Sequence, residues 1–403
     1  MAQRAVAVIG GGPAGLMAAE TLARAGLAVT VHEQMANPGR KFLLAGRGGL
    51  NLTHGEPLPE LLDRYGAASD RLAPAITAFP PKALTDWCEG LGVPTFVGTS
   101  GRIFPRSLKA SPLLRAWLIR LGELGVRMER ANQWAGWSPG GELVFSSRGE
   151  AKSLTRPDAT VLALGGASWP RLGSDGSWVA ILAEHGVHIR PLASANCGVQ
   201  IDWTPMFREK FAGAPLKRIA LTVDGQTVRG EAVITARGLE GGAVYQLVPS
   251  IRDGLAQLGR CTITLDLKPD VTLAELAERL GRAIGKQTLS NHLRKTAGLA
   301  PAAISLLRES YGAALPKEPA ALAALIKLLP FAIVGLEPVE RSISSAGGID
   351  WDEIDANFML NRLPGVFAAG EMLDWEAPTG GYLLQACFST GVAAANGVLA
   401  YLA

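Results

Sequence analysis

Three glycines near the N-terminus have the spacing of a dinucleotide-binding turn. Gly10, Gly12 and Gly15 follow the apolar run Ala5–Ile9 and open a segment rich in Ala and Leu. The first glycine of such a turn permits a tight bend, the second lets backbone approach a pyrophosphate, and the third lets helix and strand pack closely. The helix N-terminus, with Pro13 and Ala14, then offers free N–H groups and a positive dipole end to the phosphates.

An acidic residue stands where the ribose of such a ligand needs one. Glu33 lies 18 residues after Gly15, at the end of a second apolar run, and Gln34 follows it. A carboxylate there takes the adenosine ribose hydroxyls and disfavours a 2′-phosphate, which argues against NADP at this site. Strand, glycines, helix, second strand and acid all agree, whereas a coincidental glycine turn is the bland alternative.

Two further segments decide between FAD and NAD. Arg40 and Lys41 precede a glycine run at residues 46–49, and these can hold pyrophosphate oxygens and let backbone lie against a flat ring. A mobile surface loop is the alternative for that segment. Near the C-terminus an apolar run ends in Gly370-Glu371, and a helix then opens with Gly381, Tyr382 and Leu383. In an FAD enzyme such a strand returns to the ribityl chain, and the helix dipole stabilises negative charge on reduced flavin. The pattern predicts FAD as the cofactor.

The elements that must position these residues alternate between strand and helix at both ends of the chain. Apolar runs at residues 5–9, 159–164 and 365–369 are typical of buried parallel strands. Alternating residues with turn signals in the middle of the chain indicate antiparallel strands. We therefore predict an α/β fold: a split Rossmann-like FAD-binding domain at 1–190 and 331–403, with an inserted antiparallel β plus helical substrate domain at 191–330.

Composition excludes several other classes of protein. The chain has 403 residues, of which 48% are apolar and 19% charged, so it is too apolar to be disordered. The four cysteines are widely spaced with no C-x-x-C pair, which predicts no metal site and free thiols in a reducing cytoplasm. The apolar segment 320–336 contains a lysine and a proline and is short of the ~20 clean residues of a membrane span. No signal peptide pattern is visible at the N-terminus.

Motifs along nearly the whole chain resemble the BaiN/RdsA-like flavoproteins, bacterial NAD(P)/FAD-dependent oxidoreductases with a split FAD domain. The segments that carry the resemblance are AVAVIGGGPAG, GRKFLLAGRGGLNLTH, GRIFPRS, VLALGGASWPRLGSDG, SSAGGI and FAAGEMLDWEAPTGGYLLQACFSTG. The resemblance implies FAD bound by the N-terminal glycines and Glu33, with further residues near the cofactor: Asn51, Thr53, Gly165, Gly166, Gly370 and Glu371. Trp134 stands where this fold's adenine-contacting residue usually falls, after a short strand, and core filler is its alternative role. Leu50 stands where the family often has cysteine, which predicts a divergent subgroup.

We expect an FAD-dependent oxidoreductase that transfers a hydride between a small-molecule substrate and the N5 atom of the flavin. An amine oxidase of the aminoacetone-oxidase type is one such enzyme. Dioxygen or NAD(P)H would be the co-substrate. One alternative is an NAD(P)H-dependent flavin reductase of an unsaturated substrate. Another is a non-catalytic flavin-bound protein for RNA binding or redox sensing, because residues 191–330 carry 17 basic and 12 acidic side chains. Those charges are interspersed in the sequence, and the net charge is only +3, which disfavours nucleic acid. The sequence identifies no catalytic residue.

Overall fold

The computed structural model describes residues 3–147, 150–153, 156–282 and 287–403. This part of the chain forms two compact units. The first comprises the residues up to Ala193 together with Ile343–Ala403, and the second is Ser194–Ser342. The strands, in chain order, are β1 (Ala5–Ile9), β2 (Ala28–Glu33), β3 (Thr53–His54), β4 (Thr95–Val97), β5 (Arg102–Pro105), β6 (Arg127–Arg130), β7 (Gln133–Trp137), β8 (Leu143–Ser147), β9 (Glu150–Ser153), β10 (Ala159–Leu162), β11 (Ile189–Ala195), β12 (Val199–Gln200), β13 (Pro215–Val223), β14 (Gln226–Ile234), β15 (Gly238–Glu240), β16 (Cys261–Asp266), β17 (Leu329–Ile333), β18 (Gly335–Leu336), β19 (Ser344–Ile349) and β20 (Val366–Ala368).

The α-helices connect these strands and cover their faces. In chain order they are α1 (Pro13–Arg24), α2 (Arg40–Ala45), α3 (Leu58–Asp63), α4 (Ser69–Ala78), α5 (Pro81–Gly90), α6 (Ala110–Glu123), α7 (Trp178–Glu184), α8 (Pro205–Phe211), α9 (Gly242–Tyr245), α10 (Val248–Leu258), α11 (Leu273–Leu280), α12 (Leu289–Thr296), α13 (Pro301–Tyr311), α14 (Pro319–Lys327) and α15 (Tyr382–Leu402).

A five-stranded parallel sheet forms the centre of the first unit. Its order is β20-β10-β1-β2-β6, and every neighbouring pair is parallel. Strands β1 and β10 are apolar and buried almost throughout, as strands covered on both faces must be. The C-terminal strand β20 joins the N-terminal sheet by pairing with β10, with Thr160 opposite Val366. The predicted α/β class with a Rossmann-like, split sheet is thereby confirmed.

Helix α1 is held in this unit by a buried carboxylate. Glu20 is 1% exposed and accepts hydrogen bonds from the indole nitrogens of Trp87 and Trp117, at 3.0 and 2.8 Å. Arg24 and Arg120 supply guanidinium partners at 2.8 and 3.3 Å. A buried charge with this many donors is compensated, so the interaction fixes the helix that begins at the glycine turn.

The second unit contains a seven-stranded antiparallel sheet in the order β17-β16-β13-β14-β15-β12-β18. Apolar side chains from this sheet and from α8 to α14 form its own core. The boundaries between units fall at 194 and 343, where the sequence placed them at 191 and 331. The larger difference comes from β17 and β18, which pair with β16 and β12 and so belong to the second unit.

Candidate cofactor-binding cleft

A cleft of about 880 Å³, part of it open to solvent, lies at the carboxyl ends of β1, β2, β10 and β20. The chain leaves β1 and β10 towards opposite edges of the sheet, and open α/β sheets bind ligands at such a switch point. Twelve of the predicted site residues line it: Gly10, Gly12, Pro13, Ala14, Glu33, Gln34, Arg40, Lys41, Trp134, Gly165, Gly370 and Glu371.

The three motif glycines have different surroundings. A Cβ on Gly10 would overlap the Ala163 carbonyl, and Gly10 has a φ of +110°. A Cβ on Gly15 would overlap the Gly10 carbonyl oxygen, so this glycine serves the packing of helix on strand. At Gly12 a Cβ would meet no described atom within 4 Å and would point into open space. Gly12 is also the N-cap of α1 and carries no side chain to satisfy the first N–H groups, which are therefore available to a ligand.

The carboxylate of Glu33 is fixed by backbone on both of its oxygens. One accepts from the Gly11 N–H at 2.8 Å and the other from the Met35 N–H at 2.7 Å. Burial raises the pKa of this carboxyl, although the two backbone donors and the charge of Arg40 oppose that rise. Each carboxylate oxygen can accept more than one hydrogen bond, so the side chain keeps acceptor capacity for a hydroxyl ligand.

We expect Glu33→Gln to weaken FAD binding at least tenfold, because charge-assisted bonds of roughly 1.5–3 kcal/mol are lost and an amide must place its NH₂ against a backbone donor. Because burial raises the pKa of Glu33, its carboxylate is protonated at a higher pH than an ordinary glutamate when the solution is acidified. The affinity of the wild-type chain for FAD should fall as the pH falls through this raised pKa, whereas the variant should lack this step. Fluorescence titration of apoprotein with FAD measures both.

The matched control for this prediction is Glu129→Gln, an exposed acid on the neighbouring strand β6. Its affinity for FAD should equal that of the wild-type chain. An unchanged affinity in Glu33→Gln would mean that the ribose contact lies elsewhere.

Two buried polar atoms in the cleft have no hydrogen-bond partner among the described residues. They are the indole nitrogen of Trp134 and the hydroxyl of Ser174, both of which belong to lining residues. Trp134 lies within β7 rather than after a strand, and its unsatisfied N–H is not what a core filler would have. The sequence reasoning missed Ser174. The only indication in the sequence was that Ser174 lies in the second glycine-rich segment. In the structure its hydroxyl lies 3.2 Å from where a Cβ on Gly165 would be.

The other seven predicted residues do not line this cleft: Gly15, Asn51, Thr53, Gly166, Gly381, Tyr382 and Leu383. Thr53 and Gly381 come together instead, since a Cβ on Gly381 would lie 2.5 Å from the Thr53 Cα. The Asn51 amide oxygen and the Thr53 hydroxyl are buried and, in the described part of the chain, have no partner. Two polar side chains in need of partners therefore lie where β3 meets the beginning of α15.

Tyr382 is the first residue of α15, and it contacts His54 and Tyr65. Its ring stacks on His54 with 5.4 Å between ring centroids, and the Tyr65 hydroxyl donates to its carbonyl oxygen at 2.8 Å. Burial and hydrogen bonding to Glu56 raise the pKa of its phenol, which stays protonated at neutral pH. The structure therefore gives Tyr382 a fixed place beside β3.

Lys41, predicted to hold pyrophosphate oxygens, is engaged with another predicted residue. Its ammonium donates to the Glu371 carboxylate at 2.7 Å and to the Ser168 hydroxyl at 2.5 Å. Gly166, predicted to lie near the cofactor, packs against Ser345 and Glu371, where any Cβ would overlap the Ser345 hydroxyl. The side chains from these distant segments thus meet at one edge of the cleft.

The cleft offers little acid–base chemistry of its own. Cys387 lines it, but burial raises the pKa of the thiol to about 12, so it stays protonated and inert. Within the residues that the structure describes, no three His, Cys, Asp or Glu side chains are grouped as a metal ion would require. The arrangement has the groups to hold a nucleotide-like ligand, which would itself have to supply the electron-transfer chemistry.

Comparison with known proteins identifies the family of the chain. The model of the HI0933-like protein Rossmann domain matches residues 4–397. The chain is 27% identical to a 3-dehydro-bile acid delta(4,6)-reductase of Clostridium scindens, over 96% of this chain and 97% of the relative. It is 23% identical to a ribosomal RNA dihydrouridine synthase of Escherichia coli, over 98% and 97%.

A solved structure shares the fold across the chain. The 3-ketosteroid delta1-dehydrogenase from Sterolibacterium denitrificans is 13% identical, and the match covers 99% of this chain and 100% of that one with a TM-score of 0.55. The resemblance stated from the motifs is confirmed by the family match. The chain therefore belongs to the HI0933-like family of Rossmann-domain proteins, and it is an FAD-dependent oxidoreductase.

Proposed function

We propose that this flavoenzyme reduces a carbon–carbon double bond conjugated to a carbonyl group. The observation that carries the proposal is what two full-length relatives have in common. One is named for reducing a 3-dehydro bile acid, and the other is named for making dihydrouridine in ribosomal RNA. Forming dihydrouridine from uridine adds two hydrogens across a double bond. Their substrates differ greatly, so the shared feature is the bond that is reduced. This is the unsaturated-substrate alternative of the sequence analysis.

FAD, when bound, supplies a hydride donor and acceptor at its N5 atom. On the protein side, the free N–H groups at the start of α1 would hold the pyrophosphate, with Gly12 leaving room for it. Glu33 would accept from the ribose hydroxyls of the adenosine. The Trp134 indole and the Ser174 hydroxyl, both unsatisfied in the described structure, would find their partners on the cofactor.

The residues around the beginning of α15 would hold the flavin end. Asn51 and Thr53 each have a buried oxygen that no described group satisfies, and the flavin ring has a polar edge that can satisfy both. Helix α15 begins after Gly381, which provides no side-chain cap in the described structure, so its positive end is available to negative charge on a reduced flavin. Asn51 and Thr53 would hold the flavin through hydrogen bonds alone, without transferring a proton to it.

An anaerobic stopped-flow experiment tests the direction of electron flow. Reduced holoenzyme is mixed with a 4-ene-3-keto steroid or with a uridine-containing RNA, and oxidised holoenzyme is mixed with aminoacetone. We expect the visible flavin absorbance to return with one of the unsaturated substrates, and aminoacetone to leave the oxidised flavin unchanged. Bleaching by aminoacetone, with no reaction of the reduced enzyme, would favour the amine-oxidase type instead.

A further inference from the structure

Lys41 and Glu371 form an ion pair across 330 residues of sequence. The ammonium lies 2.7 Å from one carboxylate oxygen of Glu371, and the two side chains are 27% and 12% exposed. Both residues line the cofactor cleft. An ion pair in such a half-buried place is screened less than a surface pair and can fix geometry.

The second carboxylate oxygen of Glu371 is fixed as well. It accepts from the Ser345 N–H at 2.9 Å, while the Ser345 hydroxyl accepts from the Ala167 N–H at 2.8 Å. Lys41 completes the set by donating to Ser168, which follows Ala167. Four segments are therefore joined at one carboxylate: the beginning of α2, the loop after β10, strand β19 and the turn after β20.

This arrangement changes the role that Lys41 can have. An ammonium paired with a carboxylate is largely neutralised, so its pull on a pyrophosphate is weaker than that of a free cation. Two of its three N–H donors are directed to Glu371 and Ser168. Glu371, in contrast, keeps unused acceptor capacity on a carboxyl group that lines the cleft.

We propose that Lys41 is a positioning residue, which acts on the cofactor through Glu371 and not through the pyrophosphate. It holds the Glu371 carboxylate in one orientation, so that its remaining acceptor capacity meets the hydroxyl groups of a polyol chain such as the ribityl part of FAD. This inference rests on the proposed FAD site. It does not depend on which substrate the enzyme reduces.

A double-mutant cycle with two ligands tests the proposal. Dissociation constants of FAD and of ADP, which has the pyrophosphate but no ribityl chain, are measured on the apoprotein of the full chain. The variants are Lys41→Met, Glu371→Gln and the double variant. We expect each single variant to weaken FAD about tenfold, as loss of a charge-assisted hydrogen bond does, and the double variant to be no weaker than either. The affinity for ADP should stay within about twofold of wild type, because ADP has no ribityl chain and makes no contact with Glu371. Loss of a direct pyrophosphate contact would instead weaken ADP about tenfold.

Two further variants keep the result interpretable if Lys41→Met folds poorly. Lys41→Arg retains the charge and should recover most of the FAD affinity. Lys82→Met makes the same change in a surface ion pair with Asp86 and should alter neither affinity. Equal losses of FAD and ADP, or additive losses in the double variant, would overturn the proposal because they describe a direct pyrophosphate contact. No loss in either single variant would overturn it too. Since binding and not turnover is measured, a failure of the proposed reduction would leave this result unaffected.

Discussion

Replacing Gly12 by alanine is expected to abolish tight FAD binding while the fold remains intact. The backbone at Gly12 has φ −82° and ψ 179°, which alanine adopts without strain, and its Cβ would touch no described atom within 4 Å. The methyl group would instead occupy the space that the pyrophosphate needs. Loss of two charge-assisted hydrogen bonds at roughly 1.5–3 kcal/mol each should raise the dissociation constant at least about 100-fold. Calorimetric titration of the apoprotein measures the affinity, and thermal unfolding measures the stability.

The matched control is the same substitution three residues later. In Gly15→Ala the new methyl would overlap the Gly10 carbonyl oxygen and approach Ala163 at 3.2 Å. Helix α1 would have to move away from β1, at a cost of about 1–3 kcal/mol or more as in other overpacked sites. We therefore expect a lowered unfolding temperature for Gly15→Ala and an unchanged one for Gly12→Ala. A Gly12→Ala chain that binds FAD normally would place the pyrophosphate elsewhere.

The parts of the site that the sequence predicted well are those whose geometry is local. The strand, the glycine turn, α1 and the position of Glu33 all lie within the first 33 residues, and their spacing alone determines how they meet. The joining of β20 to the N-terminal sheet was also predictable, since a lone strand of this kind needs a sheet. Whether these residues hold FAD in the proposed way stays a prediction that the variants above test.

The features that the sequence alone could not predict depend on contacts between distant segments. Lys41 is a residue type that often binds phosphate, and nothing near it in the sequence indicates that its ammonium will contact Glu371. Gly166 resembles a cofactor-binding glycine, although its missing side chain makes room for Ser345. Ser174 could not be distinguished from any loop serine until its hydroxyl was seen to be buried without a described partner. The boundary predicted at residue 331 falls inside β17, and only the pairing of this strand with β16 assigns it to the second unit.

The last helix is the place where one substitution should affect the first unit most. By length and composition α15 could cross a membrane, but 56% of its apolar window is buried inside the structure, as in a core helix. Gly391 is buried, and a Cβ there would overlap the carbonyl oxygen of Ala14, next to the glycine turn. The packing of α15 against α1 thus depends on a residue without a side chain.

We expect Gly391→Val to destabilise the first unit by about 3 kcal/mol or more, because a β-branched side chain must displace backbone rather than a flexible side chain. FAD binding should be lost together with the fold, since Ala14 lines the cleft. Asn396→Val introduces the same side chain on an exposed position of the same helix, and its stability should stay within about 0.5 kcal/mol of wild type. Chemical denaturation, monitored by flavin fluorescence and circular dichroism, measures the free energy of unfolding of both variants. If Gly391→Val were as stable as Asn396→Val, α15 would not pack on α1, and its apolar surface would need another partner, such as a lipid bilayer.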